Sequence, residues 1–251
     1  MTVRTTRFRQ SVIRTVLGLA ALSGLAMQPV ESAFAKVVEV SMTAVETKLV
    51  IDGEGHTYDA WTFNGQFPGP VIRVQEGDEV VFSLTNPETN GRPHSMDFHA
   101  AETNFLEHYK EVRPGESLQY RFKAKWPGVF AYHCGASPMI QHIARGMMGA
   151  IIVDPKDPKA MPKADREYVL VQSELFKEPD DVDGMFDRKY QHVVFNGAVF
   201  RYDPVHSKAG GDFLDAKPGE RVRFYFVNAG PNNVSAVHPI AEIWDDVWES
   251  G

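Results

Sequence analysis

The sequence contains one cysteine, Cys134, in 251 residues. A lone thiol cannot close an internal disulfide, so no covalent framework holds the chain and an ordinary apolar core must do so. Positive charge is also short: 26 Lys and Arg stand against 33 Asp and Glu, a formal net charge of −7. That balance offers nothing to nucleic acid or to an anionic membrane surface. Long apolar runs are missing as well. The run from Val16 to Met27 is too short to span a bilayer, which takes about 20 residues. Helical periodicity is scarce throughout.

The Val16–Met27 run fits a leader. Arg4, Arg7, Arg9 and Arg14 precede it and "ESAFA" follows, which is the order of a secretory signal peptide over residues 1–35 with cleavage after Ala35. A periplasmic protein with no membrane attachment after cleavage is expected. Removing those four Arg and Glu31 leaves 22 basic and 32 acidic side chains, a net charge of −10. Export sharpens the question of Cys134, because an unprotected thiol in an oxidising compartment is a liability. Ligation to a metal would protect it.

What the sequence does have is alternation. "KVVEVSMTAVE", "EVVFSLTN", "LQYRFKAKW", "GAIIVDP", "YVLVQSELF" and "RVRFYFVNAG" are β-branched or aromatic runs separated by Gly and Pro turns. Short strands at that spacing predict an all-β chain of sandwich or barrel type. A repeat organises them. "TFNGQFPGPVIRVQEGDEVVFSLTN" (62–86) returns as "VFNGAVFRYDP…AKPGERVRFYFVN" (194–228), so that Asn64 maps to Asn196, Gly77 to Gly219 and Asn86 to Asn228. Two related domains are expected, over 36–155 and 166–251, joined by a Pro- and Lys-rich linker at 156–165. The second copy lacks counterparts of the first copy's last strands, and a C-terminally truncated second domain is expected.

Two ligand sets are interleaved in the first copy. His94, Cys134, His142 and Met147 supply two imidazoles, a thiolate and a thioether. A trigonal His₂Cys set with a weak axial Met suits a blue, electron-transferring copper; zinc has little use for Met. "HSMDFHAAE" adds Asp97 and His99, and "YHC" adds His133. Side chains alternate along a strand, so Asp97 and His99 should point away from His94, and His133 away from Cys134. A second site using His99 and His133, with Asp97 beside it, is expected on the opposite face. His133–Cys134 is then a covalent bridge between two metal centres. His238 follows the second copy's "FVNAG" strand, where the first copy places the His94 region. His56, His108, His192 and His206 read as solvated structural residues.

At these residues the chain resembles the copper-containing nitrite reductases, a likeness that runs over about residues 38 to 251. Its most specific part is the H-x-x-D-x-H…H-C…H-x₄-M combination. The resemblance implies two tandem cupredoxin-like Greek-key domains, the second incomplete here, and a homotrimer holding two coppers per subunit. It implies His94, Cys134, His142 and Met147 as type 1 ligands, and His99 and His133 as type 2 ligands. It also implies Asp97 and His238 as catalytic residues, with Ile240 shaping the pocket. The third type 2 histidine would come from an adjacent subunit, from a region beyond residue 251. The implied activity is one-electron reduction of nitrite to nitric oxide in denitrification, supplied by a small cupredoxin or c-type cytochrome. The stretch from Cys134 to His142 is slightly shorter than in the family's best-known members, which bears on the geometry and colour of the first site. Two alternatives stand beside this reading. A two-domain multicopper oxidase needs paired His-x-His motifs, and the sequence contains none. A blue-copper electron carrier has no use for the second set.

Overall fold

The computed structural model describes residues 35–203, 205–206 and 212–249. The expected signal peptide lies outside the described residues, apart from Ala35. No helix among the described residues is long and apolar enough to cross a membrane.

Among the described residues three sheets form from the alternating runs. The first has the order β2 (Thr57–Phe63), β1 (Val37–Val50), β4 (Glu79–Thr85), β6 (Ser117–Lys123). The second has the order β3 (Ile72–Gln75), β8 (Met148–Asp154), β7 (Gly128–His133), β5 (Asp97–Phe98). Between them lies the principal core, in which Phe82 meets the rings of Phe98 and Tyr120 edge-on at 5.0 and 5.4 Å. Strand β6 shows the cause in its sequence: in "SLQYRFK" Tyr120 and Phe122 are buried while the residues between and beside them face solvent.

The third sheet, β10 (Tyr190–Phe195), β9 (Arg166–Phe176), β11 (Val222–Asn228), repeats the plan of the first. Strand β1 runs parallel to β4 through Val37–Thr43 and antiparallel to β2 through Ala44–Val50. Strand β9 likewise runs parallel to β11 and antiparallel to β10. The Asn-Gly turns match atom for atom. Asn64 donates its N–H to the Thr43 carbonyl and accepts the Thr43 N–H on Oδ1, and Asn196 makes the same two bonds with Val171. Both asparagines have positive φ, 57° and 48°, in turns whose next residue is glycine. Thr43 therefore corresponds to Val171, and three residues further on Glu46 corresponds to Glu174.

The two copies of the plan pack together. Strand β8 is buried on both faces because Ile151 and Val153 join the principal core while Ala150 packs against Val171 and Val227. A second apolar cluster joins Tyr58 and Ala60 of β2 to Leu175 and Val194. A polar clamp reinforces the contact: Arg73 donates to Asp154 at 2.7 and 2.9 Å and to Glu167 at 2.5 Å, and Arg223 donates to Glu167 at 2.6 Å. Among the described residues three short helices accompany the sheets, α1 (Phe105–His108), α2 (Met139–Ala144) and α3 (Val182–Phe186).

Candidate metal centres

Strand β7 carries "GVFAYH" in the middle of the second sheet and ends at His133. Its partner β5 is only two residues long, in a register that sets Asp97 opposite His133 and Phe98 opposite Tyr132. The pairing runs one step further, since the His99 N–H donates to the Ala131 carbonyl. Asp97 and His99, two apart, thus share a face with His133 as its direct and diagonal neighbours. The Nε2 atoms of His99 and His133 approach to 3.0 Å, and the Asp97 carboxylate lies 3.9 Å from His99 and 3.7 Å from His133. His133 Nδ1 donates to the Cys134 carbonyl at 3.0 Å. That bond leaves the Nε2 lone pair directed at His99, the tautomer a metal requires. Burial lowers the basicity of His133, with His99 adding to the effect.

Cys134 follows immediately and points the other way. It is fully buried, and its N–H is held by the Met147 carbonyl at 2.9 Å. The Ser95 N–H donates to Sγ at 3.2 Å, and the Ser95 hydroxyl accepts the Gly135 N–H. His94 reaches the same place through an isolated bridge with Val112. His142 reaches it from α2, six residues between Pro138 and Gly146, too brief to show a period in the sequence. His142 Nδ1 lies 3.2 Å from Sγ and 3.3 Å from His94 Nδ1. Trp61 backs both imidazoles, its ring 4.6 Å from that of His142 and 5.9 Å from that of His94. Met147 is fully buried, and its N–H donates to the His142 carbonyl.

The donor chemistry of these two groups fits metal. The ligand atoms of His94, Cys134 and His142 lie within 4.8 Å of one another, as do those of Asp97, His99 and His133. Three ligands about 2 Å from one ion in a trigonal plane stand about 3.5 Å apart, close to the observed separations. Burial holds His142 neutral down to about pH 3, lowers His94, and pushes the Cys134 thiol up to about 11. Two neutral imidazoles around a thiol that cannot ionise alone make a site whose thiolate needs a cation.

His238 and Ile240 stand apart from both groups. They occupy an irregular segment after β11 and are exposed, Ile240 by 89%. Among the described residues no contact joins them to Asp97, His99 or His133. The other histidines differ among themselves. His56 and His206 each pair with an aspartate at the surface, Asp52 and Asp203, whereas His108 is half-buried against the Tyr120 ring. One residue near the first group gives no signal in its own sequence neighbourhood. Glu46, in the middle of β1, places Oε1 3.4 Å from His94 Nε2.

Residues 44–158 match the multicopper oxidase family model. The copper-containing nitrite reductase of Neisseria gonorrhoeae is 39% identical over 85% of this chain and 55% of its own length. That of Alcaligenes xylosoxydans xylosoxydans is 36% identical over 86% of this chain and 70% of its own length. The chain thus spans about half the length of the first of these relatives and over two thirds of the second. Among solved structures, a copper nitrite reductase from Nitrosomonas europaea superposes with a TM-score of 0.82 at 59% identity, covering 83% of this chain and 73% of that one. A multicopper oxidase superposes less closely, with a TM-score of 0.66 at 28% identity. The all-β, cupredoxin-like architecture expected from the sequence is the one found, and the chain belongs to the copper-containing nitrite reductases.

Proposed function

We propose that this chain serves the one-electron reduction of nitrite to nitric oxide, with an electron entering at the buried thiolate group and leaving at the surface group. The observation that carries the reading is the pair of metal-suited donor groups set back to back across one peptide bond, His133–Cys134. His94, Cys134, His142 and Met147 would hold a type 1 copper, and His99 and His133 would hold a type 2 copper. Copper in such groups supplies one-electron exchange at the thiolate site and a Lewis-acid centre for nitrite at the other.

The rest falls to side chains. Conversion of nitrite to nitric oxide takes up one electron and two protons and releases water. Asp97, within 4 Å of both surface imidazoles, is placed to hand a proton to a nitrite oxygen. We assign His238 a second, relaying role and Ile240 the wall of the substrate pocket. Both are exposed here, as suits a site completed between copies of the chain in a homotrimer. The same reading takes 36–155 and 166–251 as two cupredoxin domains with a linker at 156–165, in a periplasmic protein whose leader ends near Ala35. A small redox protein, a cupredoxin or c-type cytochrome, would donate the electron.

Copper content together with nitrite-dependent nitric oxide release tests the reading. Two coppers per chain and nitric oxide are the expected result. One copper with no release would make the protein an electron carrier. Four coppers with dioxygen uptake would make it a multicopper oxidase.

A further inference from the structure

We propose that Glu46 is a positioning residue for His94, accepting its Nε2–H and so turning the Nδ1 lone pair towards Cys134 and His142. The inference rests on the type 1 assignment of His94 and deepens it.

The carboxylate is itself fixed. Its Oε1 accepts the backbone N–H of Gly91 at 3.0 Å and of Arg92 at 2.9 Å, so the loop that delivers His94 is tied to β1 through the same oxygen that faces the imidazole. Glu46 sits in β1 directly across from Trp61, the residue whose ring backs both His94 and His142. His94 is fully buried, Glu46 is partly exposed, and the carboxylate is the group within reach of the imidazole's outer nitrogen. An imidazole has one N–H when neutral, and the group that accepts it decides which nitrogen is free to ligate. In the surface group the Cys134 carbonyl performs that duty for His133 Nδ1. Glu46 performs it for His94, with the difference that the acceptor is a side-chain carboxylate rather than a backbone carbonyl. A charged acceptor raises the basicity of the ligand and favours the more highly charged, oxidised metal.

Two variants separate geometry from charge. Glu46→Gln keeps an Oε1 acceptor for Gly91, Arg92 and His94 but removes the charge. Glu46→Leu removes both. In the copper-loaded protein, Glu46→Gln should retain the visible thiolate-to-copper absorption while its reduced-to-oxidised ratio at a fixed ambient potential rises about tenfold, equivalent to about 59 mV. Glu46→Leu should bind copper about 10- to 100-fold more weakly. In the copper-free protein, nitrogen-15 shifts of His94 should report an Nε2–H tautomer in the native chain and in Glu46→Gln, and a mixture in Glu46→Leu. A single Nε2–H tautomer that persists in Glu46→Leu, with unchanged copper affinity, would overturn the role of Glu46 alone. Absence of the thiolate-to-copper absorption from the native protein would overturn the type 1 assignment, and this inference with it.

Discussion

His133 and Cys134 are adjacent in the chain, yet they serve opposite faces of one sheet. The His133 ring comes within 3.0 Å of His99 at the surface, while the Cys134 sulfur lies inside, 3.2 Å from His142. The alternation of β7, carried one residue past its end by the bond from the Cys134 N–H to the Met147 carbonyl, accounts for this divergence. It puts the two donor groups as close as two sites can be without sharing a ligand. Four consequences can be measured.

Cys134 is the only soft anionic ligand available to the buried group. Replacing it with serine should abolish the intense visible absorption and lower the copper content by one per chain, with the surface group still loaded. Optical spectra and copper analysis of Cys134→Ser check this. A variant that keeps its colour would remove Cys134 from the site.

Asp97 touches the surface group and not the buried one. Asp97→Asn preserves its size but not its capacity to donate and regain a proton. Nitrite turnover should fall by about 10²- to 10⁴-fold while the visible spectrum stays unchanged. Turnover at the native rate would exclude Asp97 from proton delivery.

The repeated Asn-Gly turns make an internal control. Gly65 and Gly197 both have positive φ, 72° and 78°, but a Cβ on Gly65 meets nothing within 4 Å, whereas one on Gly197 would lie 2.1 Å from the Phe67 carbonyl oxygen. Gly65→Ala should cost about 1 kcal/mol of stability, the penalty of the left-handed conformation. Gly197→Ala adds a backbone collision between the two copies and should lower Tm distinctly further. Equal Tm values for the two variants would mean that the contact at Phe67 yields freely.

Glu167 carries the pH prediction. Its hydrogen bond from Arg73 holds its carboxyl below the ordinary value, against the opposing effect of burial, with Arg223 and Tyr225 assisting. A carboxyl depressed on folding stabilises fully above its unfolded pKa of about 4.3, and the contribution fades as the pH falls through the lower folded value. The Tm difference between the native chain and Glu167→Gln should be widest near neutrality and should shrink steadily below about pH 4. A difference independent of pH would assign Glu167 a packing role only.

Much of this was legible in the residues because the signals were local. Turn chemistry at Asn64 and Asn196 revealed the duplication, and period-two alternation revealed the sheets. Parity along the strands separated His94 and Cys134 from Asp97, His99 and His133. What escaped depended on distance in the chain. Glu46 lies 48 residues before His94 in a strand where a charged residue reads as solvent-facing. Its counterpart Glu174, fully buried beside Gly230, marks the position as unusual only once the two copies are aligned through the Thr43 and Val171 hydrogen bonds. The helical setting of His142 was hidden because a helix of six residues is too short for its period to be detected. Ile240 was tied to the surface group by family likeness alone and His238 by that likeness together with its place in the repeat, and among the described residues nothing brings either of them there.

Helix α2 is held on every side. Its Ala144 carbonyl accepts the Tyr58 hydroxyl at 3.0 Å, and Gln141 donates to the Pro179 carbonyl at 3.1 Å. Arg145, the next residue, reaches the Asp59 carbonyl at 3.0 Å and Asp180 at 2.5 Å while its guanidinium lies over Trp61. Anchors from both copies of the duplicated plan thus converge on the six residues that carry His142. An imidazole mounted this way cannot swing to follow a change of charge beside it. On the proposed reading, a copper held there would keep nearly one set of ligand positions in its oxidised and reduced states, and an electron would pass with little rearrangement of the atoms around it.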